Sequence, residues 1–330
     1  MIYYNLDYSL KCFPNKFKKF LENKLNHANI EKTVLNEYDI GSYNNAKLIG
    51  ISFPKCSCKK DRIHFILKKS PYYPKSIVIN KNSLDGNKKC ILKMLDNSYA
   101  VVKKAFSSGG NDVFIVNSFD DIKKSLKNDS YVLQKIIEPY LFLSRKFDFR
   151  LYILYIREGN NYTAYTLKNG FARLAINTYK KNSQDSFLTN VLTLTKDRKK
   201  KKKHLIFYDS IIDDIKKKEN NDIEPKIIDC LKDIANNQLP FIIKHNSQYF
   251  QSKNTPKYQF WLVGADIILD KKLNPFVLEL NGEPGLLSEL SEHNTIMLNN
   301  IWDHMLSNWL ENISNTCHES NYFIKLAEKN

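Results

Sequence analysis

Toward the C-terminal end of the chain, two apolar segments, WLVGADIILD at 261–270 and PFVLELNG at 275–282, flank the polar stretch DKKLNP. Asp, Asn and Pro favour a turn, so the pair reads as an antiparallel hairpin. Centred between Lys272 and Leu273, it sets Asp266 directly across from Glu279. Asn281, two residues further on, shares that face. Two facing carboxylates repel when both are ionised, and burial sharpens the conflict. Either lysines of the chain compensate them, or a hard cation does. Mg²⁺ prefers one or two carboxylates together with substrate phosphates. Asp266, Glu279 and Asn281 are therefore candidate metal ligands.

A second pattern lies at RKFDFRLYILYI (145–156), where Lys146, Asp148 and Arg150 alternate with Phe147, Phe149 and Leu151. In a strand the apolar three face a core and the polar three share the opposite face. Lys and Arg neutralise phosphate charge and Asp accepts from a ribose hydroxyl, so the row suits a nucleotide. The alternative is a solvated charged face. Earlier in the chain, Lys103 ends the apolar run YAVVKKA (99–105), the loop SSGGND (107–112) follows, and then comes VFIV (113–116). Glycines let backbone amides approach phosphates. No Gly-Lys-Ser/Thr opens a helix, so this is not a Walker A loop. A strand rather than a helix follows, so it is not a Rossmann turn. A plain hairpin turn and a phosphate-covering hairpin both remain open.

The remaining segments give an alternation of strands and helices, an α/β reading. FKKFLENKLNHA (17–28) has helical spacing, and LIGISF (48–53), IHFIL (63–67) and SIVIN (76–80) read as strands. CILKMLDN and DIKKSLKN read as helices, YVLQKII (131–137) and YTAYTLKNGFARLA (162–175) as strand, 223–244 and roughly 293–315 as helix. The expected divisions are an N-terminal α/β subdomain at 1–88, a central subdomain at 89–137 and a C-terminal subdomain at 138–330. KDRKKKKK (196–203) has no apolar face and reads as a surface loop; a nuclear-import or nucleic-acid patch is the sharper alternative.

Composition narrows the function classes. The 330 residues carry a net charge of +16, with 42% hydrophobic and 12% aromatic residues. That is a folded chain whose surface attracts anions: nucleotides, acidic protein tails, acidic membranes or nucleic acid. No RNP-like, zinc-finger or helix-turn-helix signature accompanies the charge, so nucleic acid is not the expected partner. The six cysteines, Cys12, Cys56, Cys58, Cys90, Cys230 and Cys317, are scattered and lack paired zinc spacing. The opening MIYYNLDYSLKCF has no signal-peptide core, and no apolar run reaches the roughly 18 residues needed to span a bilayer. A soluble cytoplasmic protein, with no membrane partner, is expected.

Taken in order, six segments between about residues 99 and 285 resemble the tubulin–tyrosine ligase-like family of ATP-grasp enzymes. They are VVKKAFSSGGNDVFIV, QKIIEP (134–139), RKFDFRLYIL, NGFARLA, FLTN (187–190) and DIILDKKLNPFVLELNGEP. The resemblance implies an ATP-grasp fold with N-terminal, central and C-terminal subdomains around a nucleotide cleft. It implies ATP contacts from Lys103, Gly109, Gly110, Gln134, Lys135, Ile136, Ile137, Lys146, Asp148, Thr189 and Asn190. Lys146, Arg150 and Arg173 would act at the reacting groups, with Arg173 near the amino-acid substrate. Mg²⁺ would lie on Asp266, Glu279 and Asn281.

The chain departs from the family pattern at Asp112, where a glycine is usual, at Lys104, where proline is usual, and at Phe187, where histidine is usual. The stretch NTIMLNN also lacks the basic residue often found there. These departures bear on donor specificity more than on ATP binding. The first 90 residues carry no recognisable match.

The expected activity is ATP- and Mg²⁺-dependent ligation of a free amino acid (Tyr, Glu or Gly) to a protein carboxylate through an acylphosphate. The acceptor would be an acidic tail such as the tubulin C-terminal tail, and the enzyme a monomer. The alternatives are an ATP-grasp ligase acting on a peptide or small-molecule carboxylate, and a non-catalytic basic module binding microtubules or nucleic acid. Asp266→Ala is expected to abolish ATP turnover and leave the fold intact.

Overall fold

The structure is a computed structural model. It describes residues 2–5, 31–32, 47–50, 58–96, 98–107, 112–167, 170–181, 183–187, 189, 204–249, 258–282, 284 and 323–329. The fold is mixed α/β. Two sheets dominate, and the polar residues singled out above gather where they meet.

The smaller sheet is antiparallel, in the order β4-β7-β5-β6: β4 (Ser76–Ile79), β5 (Ala100–Lys104), β6 (Val113–Val116) and β7 (Tyr131–Lys135). One face is apolar, with Ala100, Val102, Val116, Tyr131 and Leu133 packed against Ile91, Met94 and Leu95 of α2 (Lys88–Leu95) and Ile122 of α3 (Phe119–Ser125). Ser118 caps α3 by accepting from the Asp121 amide, with Asp120 and Asp121 in the first turn where the helix dipole favours acids. The strand–loop–strand–helix–strand order read between 99 and 137 is the one observed.

The long members of the larger sheet are β9 (Arg145–Glu158) and β13 (Tyr258–Leu269). β10 (Asn161–Leu167) and β11 (Phe171–Leu174) both pair with β9, and β14 (Pro275–Asn281) with β13. The larger sheet also takes in β1 (Ile2–Asn5), β2 (Glu31–Lys32), β3 (Lys47–Gly50), β8 (Leu141–Phe142), β12 (Leu205–Phe207) and β15 (Phe323–Lys329); its order is β12-β11-β9-β13-β3-β1-β2, with β10, β14, β15 and β8 joined to the side. Phe147, Phe149 and Leu151 are buried on the apolar face, as the alternation requires. They lie in a core with Tyr208, Ile211 and Ile215 of α5 (Tyr208–Glu219) and Ile227, Leu231, Ile234 and Leu239 of α6 (Glu224–Tyr249). The spacing of these helical residues is one face of a 3.6-residue period, and each fully buried Ile or Leu contributes about 1.5–3 kcal/mol. Pro240 sits inside α6 on its exposed side.

Two sequence readings change. IHFIL (63–67) is not a strand but the second half of α1 (Lys60–Leu67). Ile63 and Leu67 are buried at i, i+4 while Phe65 is 54% exposed, a helical pattern that a five-residue, largely apolar run could not reveal by itself. The span 162–175 splits into β10 and β11. Gly170 lies at the break, where a Cβ would stand 2.6 Å from the Arg150 carbonyl oxygen. α5 and the C-terminal strand β15 (Phe323–Lys329) were not anticipated. The helices read at 17–28 and 293–315 and the basic stretch 196–203 lie outside the described residues. No helix among the described residues is long and apolar enough to cross a membrane.

Candidate functional site

The hairpin forms with the anticipated register at its functional end: Asp266 pairs with Glu279 and Gly264 with Asn281. The turn end differs. Leu269 pairs with Pro275, and Asp270 organises the turn by accepting from the Lys272 and Asn274 amides at 2.9 and 2.8 Å. A register shift between Asp266 and Ile267 leaves Leu278 as the extra residue of a bulge. The bulge restores the Asp266–Glu279 pairing and turns the Leu278 carbonyl toward Lys103, whose Nζ donates to it at 3.2 Å.

Four neighbouring strands carry the charged row. Arg173 on β11 lies opposite Asp148 on β9, and Arg150 on β9 lies opposite Asp266 on β13. Arg173 Nε donates to Asp148 Oδ1 at 2.6 Å, and its terminal nitrogen is 2.7 Å from Asp266 Oδ2. Arg150 grips Asp266 with two nitrogens, at 2.5 and 3.1 Å. Asn281 Nδ2 donates to Asp266 Oδ2 at 3.3 Å, and the Thr189 hydroxyl donates to Asp148 Oδ2. The row is not a solvated face: Lys146, Asp148 and Asp266 are 3%, 1% and 4% exposed. Burial would raise the Asp266 carboxyl, but Arg150 and Arg173 outweigh it and hold the group down at about 2. Burial likewise works against the Arg173 cation, and Asp148 and Asp266 overcome it and raise its pKa. Gly264 gives Arg150 its room, because a Cβ there would stand 3.0 Å from Arg150 Cδ and 2.8 Å from Pro284 Cβ.

Facing this row is Lys103 of the smaller sheet. Val101 is opposite Gln134 on β7, and Lys103 lies two residues along the same face. Lys103 Nζ donates to Gln134 Oε1 at 2.7 Å, and Gln134 Nε2 donates to Ser76 Oγ at 3.1 Å. Among the described residues no carboxylate forms an ion pair with Lys103 or Lys146. Burial pulls both ammonium groups down to about 8. Glu279 and Asp266 partly offset this at Lys103, as Asp148 and Asp266 do at Lys146.

Lys60, on α1, was missed by the sequence reading. Its Nζ donates to the Ser107 carbonyl at 2.6 Å and pairs with Glu279 at 3.1 Å, linking the glycine-containing loop to the hairpin. Within the basic run KKDR nothing marks it out, and the strand reading of 63–67 hid the helix that presents it. Lys135 is exposed; Ile136 and Ile137 follow β7 and are half-buried. From there the chain crosses to the larger sheet, where the Lys271 amide donates to the Glu138 carbonyl and the Tyr140 amide to the Leu269 carbonyl. Gly109, Gly110 and Asn190 lie outside the described residues.

The two carboxylates are thus balanced by the chain's own cations, Lys60 on Glu279 and two arginines on Asp266, which is the alternative left open for the hairpin. The donor set also fits a hard divalent ion, because carboxylate and amide groups from adjacent strands face the lysines. Among the described residues no three His, Cys, Asp or Glu side chains are gathered for a metal. An ion here would need the Asn281 amide and phosphate oxygens to complete its shell.

The profile of the tubulin-tyrosine ligase family matches residues 53–320, well over half of the chain. The chain belongs to the tubulin-tyrosine ligase family. A probable beta-tubulin polyglutamylase of Tetrahymena thermophila is 28% identical over 231 residues, 62% of this chain and 18% of that protein. The probable tubulin polyglutamylase TTLL9 of Mus musculus is 28% identical over 187 residues, 56% of this chain and 39% of that protein. Tubulin glycylase 3C of Tetrahymena thermophila is 26% identical over 203 residues, 56% and 18% respectively. The chain spans well under half the length of each of these relatives. The matched span includes the smaller sheet, β4 to β7, and β9, β11, β13 and β14 of the larger one.

Proposed function

We propose that this chain is an ATP-dependent carboxylate–amine ligase of the ATP-grasp type, adding an amino acid to an acidic, tubulin-like tail. One observation carries the reading. Lys103 on the smaller sheet faces the carboxylate hairpin of the larger one, and Lys146 lies beside that hairpin on β9, neither lysine with a carboxylate partner among the described residues. A polyphosphate bound with magnesium has the complementary charge.

In this reading Lys103 and Lys146 contact the phosphates, and Asp148 accepts from a ribose hydroxyl. Gln134, Lys135, Ile136 and Ile137 line the base, Thr189 and Asn190 lie beside the nucleotide, and Gly109 and Gly110 cover it. Asp266, Glu279 and Asn281 would hold Mg²⁺, which when bound supplies neutralisation of phosphate charge. Lys60 adds a further cation and ties the loop at Ser107 to Glu279. The acceptor carboxylate attacks the γ-phosphorus and ADP departs, leaving an acylphosphate. The donor amine then displaces phosphate and an amide forms. Positioning and electrostatics carry both steps. Arg173, pre-ordered on Asp148 and Asp266, and Arg150, pre-ordered on Asp266, would pair with a donor carboxylate through their guanidinium groups.

Glutamate is the donor favoured by the polyglutamylase relatives, with glycine the second reading because a glycylase is among them. The net charge of +16 suits steering of an acidic acceptor. The test is transfer of labelled glutamate or glycine to tubulin in the presence of Mg-ATP. Label on tubulin tails that requires ATP supports the reading. ATP hydrolysis without tubulin labelling would instead favour a ligase for a peptide or small-molecule carboxylate.

A further inference from the structure

Lys146 is a buried cation whose neighbours are unusual. It is 3% exposed, forms no ion pair among the described residues, and its Nζ lies 4.7 Å from the centroid of the Phe187 ring. Phe187 ends α4 (Gln184–Phe187), a single turn held in place by its own hydroxyl. Ser186 Oγ, 1% exposed, accepts from the Lys180 amide at 2.8 Å. It lies 2.9 and 3.1 Å from the Lys180 and Ser183 carbonyl oxygens, either of which can take its proton. Two residues beyond Phe187, the Thr189 hydroxyl donates to Asp148. Phe187 and Thr189 therefore meet the polar face of β9 at two alternate positions, with an aromatic ring on Lys146 and a hydroxyl on Asp148.

We propose that Phe187 is a positioning residue for the nucleotide site, its ring fixing the Lys146 ammonium by a cation–π contact while leaving its charge free for phosphate. A ring face attracts a cation without neutralising it. A carboxylate at the same place would form an ion pair and compete with an anionic ligand. A leucine would fill similar volume but offer no quadrupole, so the long lysine side chain would lose its fixed position. The alternative role for Phe187 is apolar filling alone, and the two roles separate experimentally. Given that Lys146 faces phosphate, as proposed above, the ring acts on phosphate binding only through Lys146.

Calorimetric titration of the full chain with Mg-ATP makes the test, using wild type, Phe187→Leu, Phe187→Tyr, Lys146→Met and the Phe187→Leu/Lys146→Met pair. Phe187→Leu is expected to weaken binding about two- to thirtyfold, the range of a cation–π contact. Phe187→Tyr should restore it, and in the Lys146→Met background Phe187→Leu should add nothing. Phe187→Met serves if the leucine variant does not fold. Equal affinity for wild type and the aliphatic variant overturns the proposal. So does a loss that persists undiminished without Lys146, or one that tyrosine fails to restore. A wild type that does not bind Mg-ATP removes the nucleotide-site reading and this positioning role with it, a result distinct from the other three.

Discussion

Where the two sheets meet, the carboxylates and the lysines handle charge in opposite ways. On the larger sheet, charge is compensated within the protein: Asp266 takes both Arg150 and Arg173, and Asp148 takes Arg173 and Thr189. Opposite it Lys103 is half-buried, and beside it at the start of β9 Lys146 is buried; among the described residues their partners are neutral, a carbonyl, an amide oxygen and a ring. Desolvating a charge without a counter-charge is unfavourable, whereas a compensated network is rigid and already satisfied. The compensated carboxylates are held in place by the chain itself, and in the proposed reading the lysines without a carboxylate partner are the groups that an anion would complete. Charge balance, more than charge itself, locates the ligand.

Removing one member from each group breaks the comparison most directly. Asp266→Ala leaves two guanidinium groups without their carboxylate in a buried place, and is expected to lower stability by about 3–5 kcal/mol. Chemical denaturation measures it. The sequence alone could not show that Arg150 and Arg173 converge on Asp266, and this loss of stability is expected on top of the loss of ATP turnover. Unchanged stability in Asp266→Ala would mean the arginines are not held by it.

Acid and alkali separate the two groups by sign. Lys103 and Lys146 sit at about 8 folded against an ordinary 10.5, so the unfolded chain binds more protons between those values. Their destabilising contribution is fully present below about pH 8 and is relieved as pH rises toward 10.5. Nucleotide affinity should fall over the same interval as the ammonium groups deprotonate. Asp266, lowered to about 2 from 3.8, contributes stability above its ordinary value that is lost as pH falls through about 2. Denaturation and nucleotide titration across pH 7–10 should therefore show opposite slopes; parallel slopes would contradict the assignment of the lysines.

Lys103→Met should leave the unliganded melting temperature unchanged or raise it by a few degrees, since it removes a desolvated charge and leaves only Gln134 and the Leu278 carbonyl to repartner. A drop as large as that of Asp266→Ala would show that Lys103 is structural. A small effect is also expected for Thr189→Val, which deletes one hydrogen bond to Asp148 while Arg173 remains. A loss near 1 kcal/mol is expected in thermal unfolding.

Much of this geometry was legible because it depended on period-two alternation. Lys146, Asp148 and Arg150 share a face for the same reason that Phe147, Phe149 and Leu151 share the other, and Asp266 meets Glu279 because a polar turn fixed the hairpin. The turn itself centres half a residue away from the expected point, and only the bulge at Leu278 restores the register, a compensation with no signature in composition. Lys60 was illegible because it acts across 219 positions of sequence, reaching Glu279 from a helix whose short apolar run reads equally as strand. Phe187 stood out as a departure from the family pattern, but its contact with Lys146 required the fold.

The most direct test of the account is the melting temperature of wild type and Lys103→Met with and without Mg-ATP. Ligand that binds the native state must stabilise it. A rise with Mg-ATP in wild type, lost or reduced on the order of ten- to hundredfold in apparent affinity in Lys103→Met, is the predicted result. No rise in wild type, or an equal rise in both, would contradict the claim that the uncompensated lysines form a nucleotide site, and would favour a non-catalytic basic binding module on this fold.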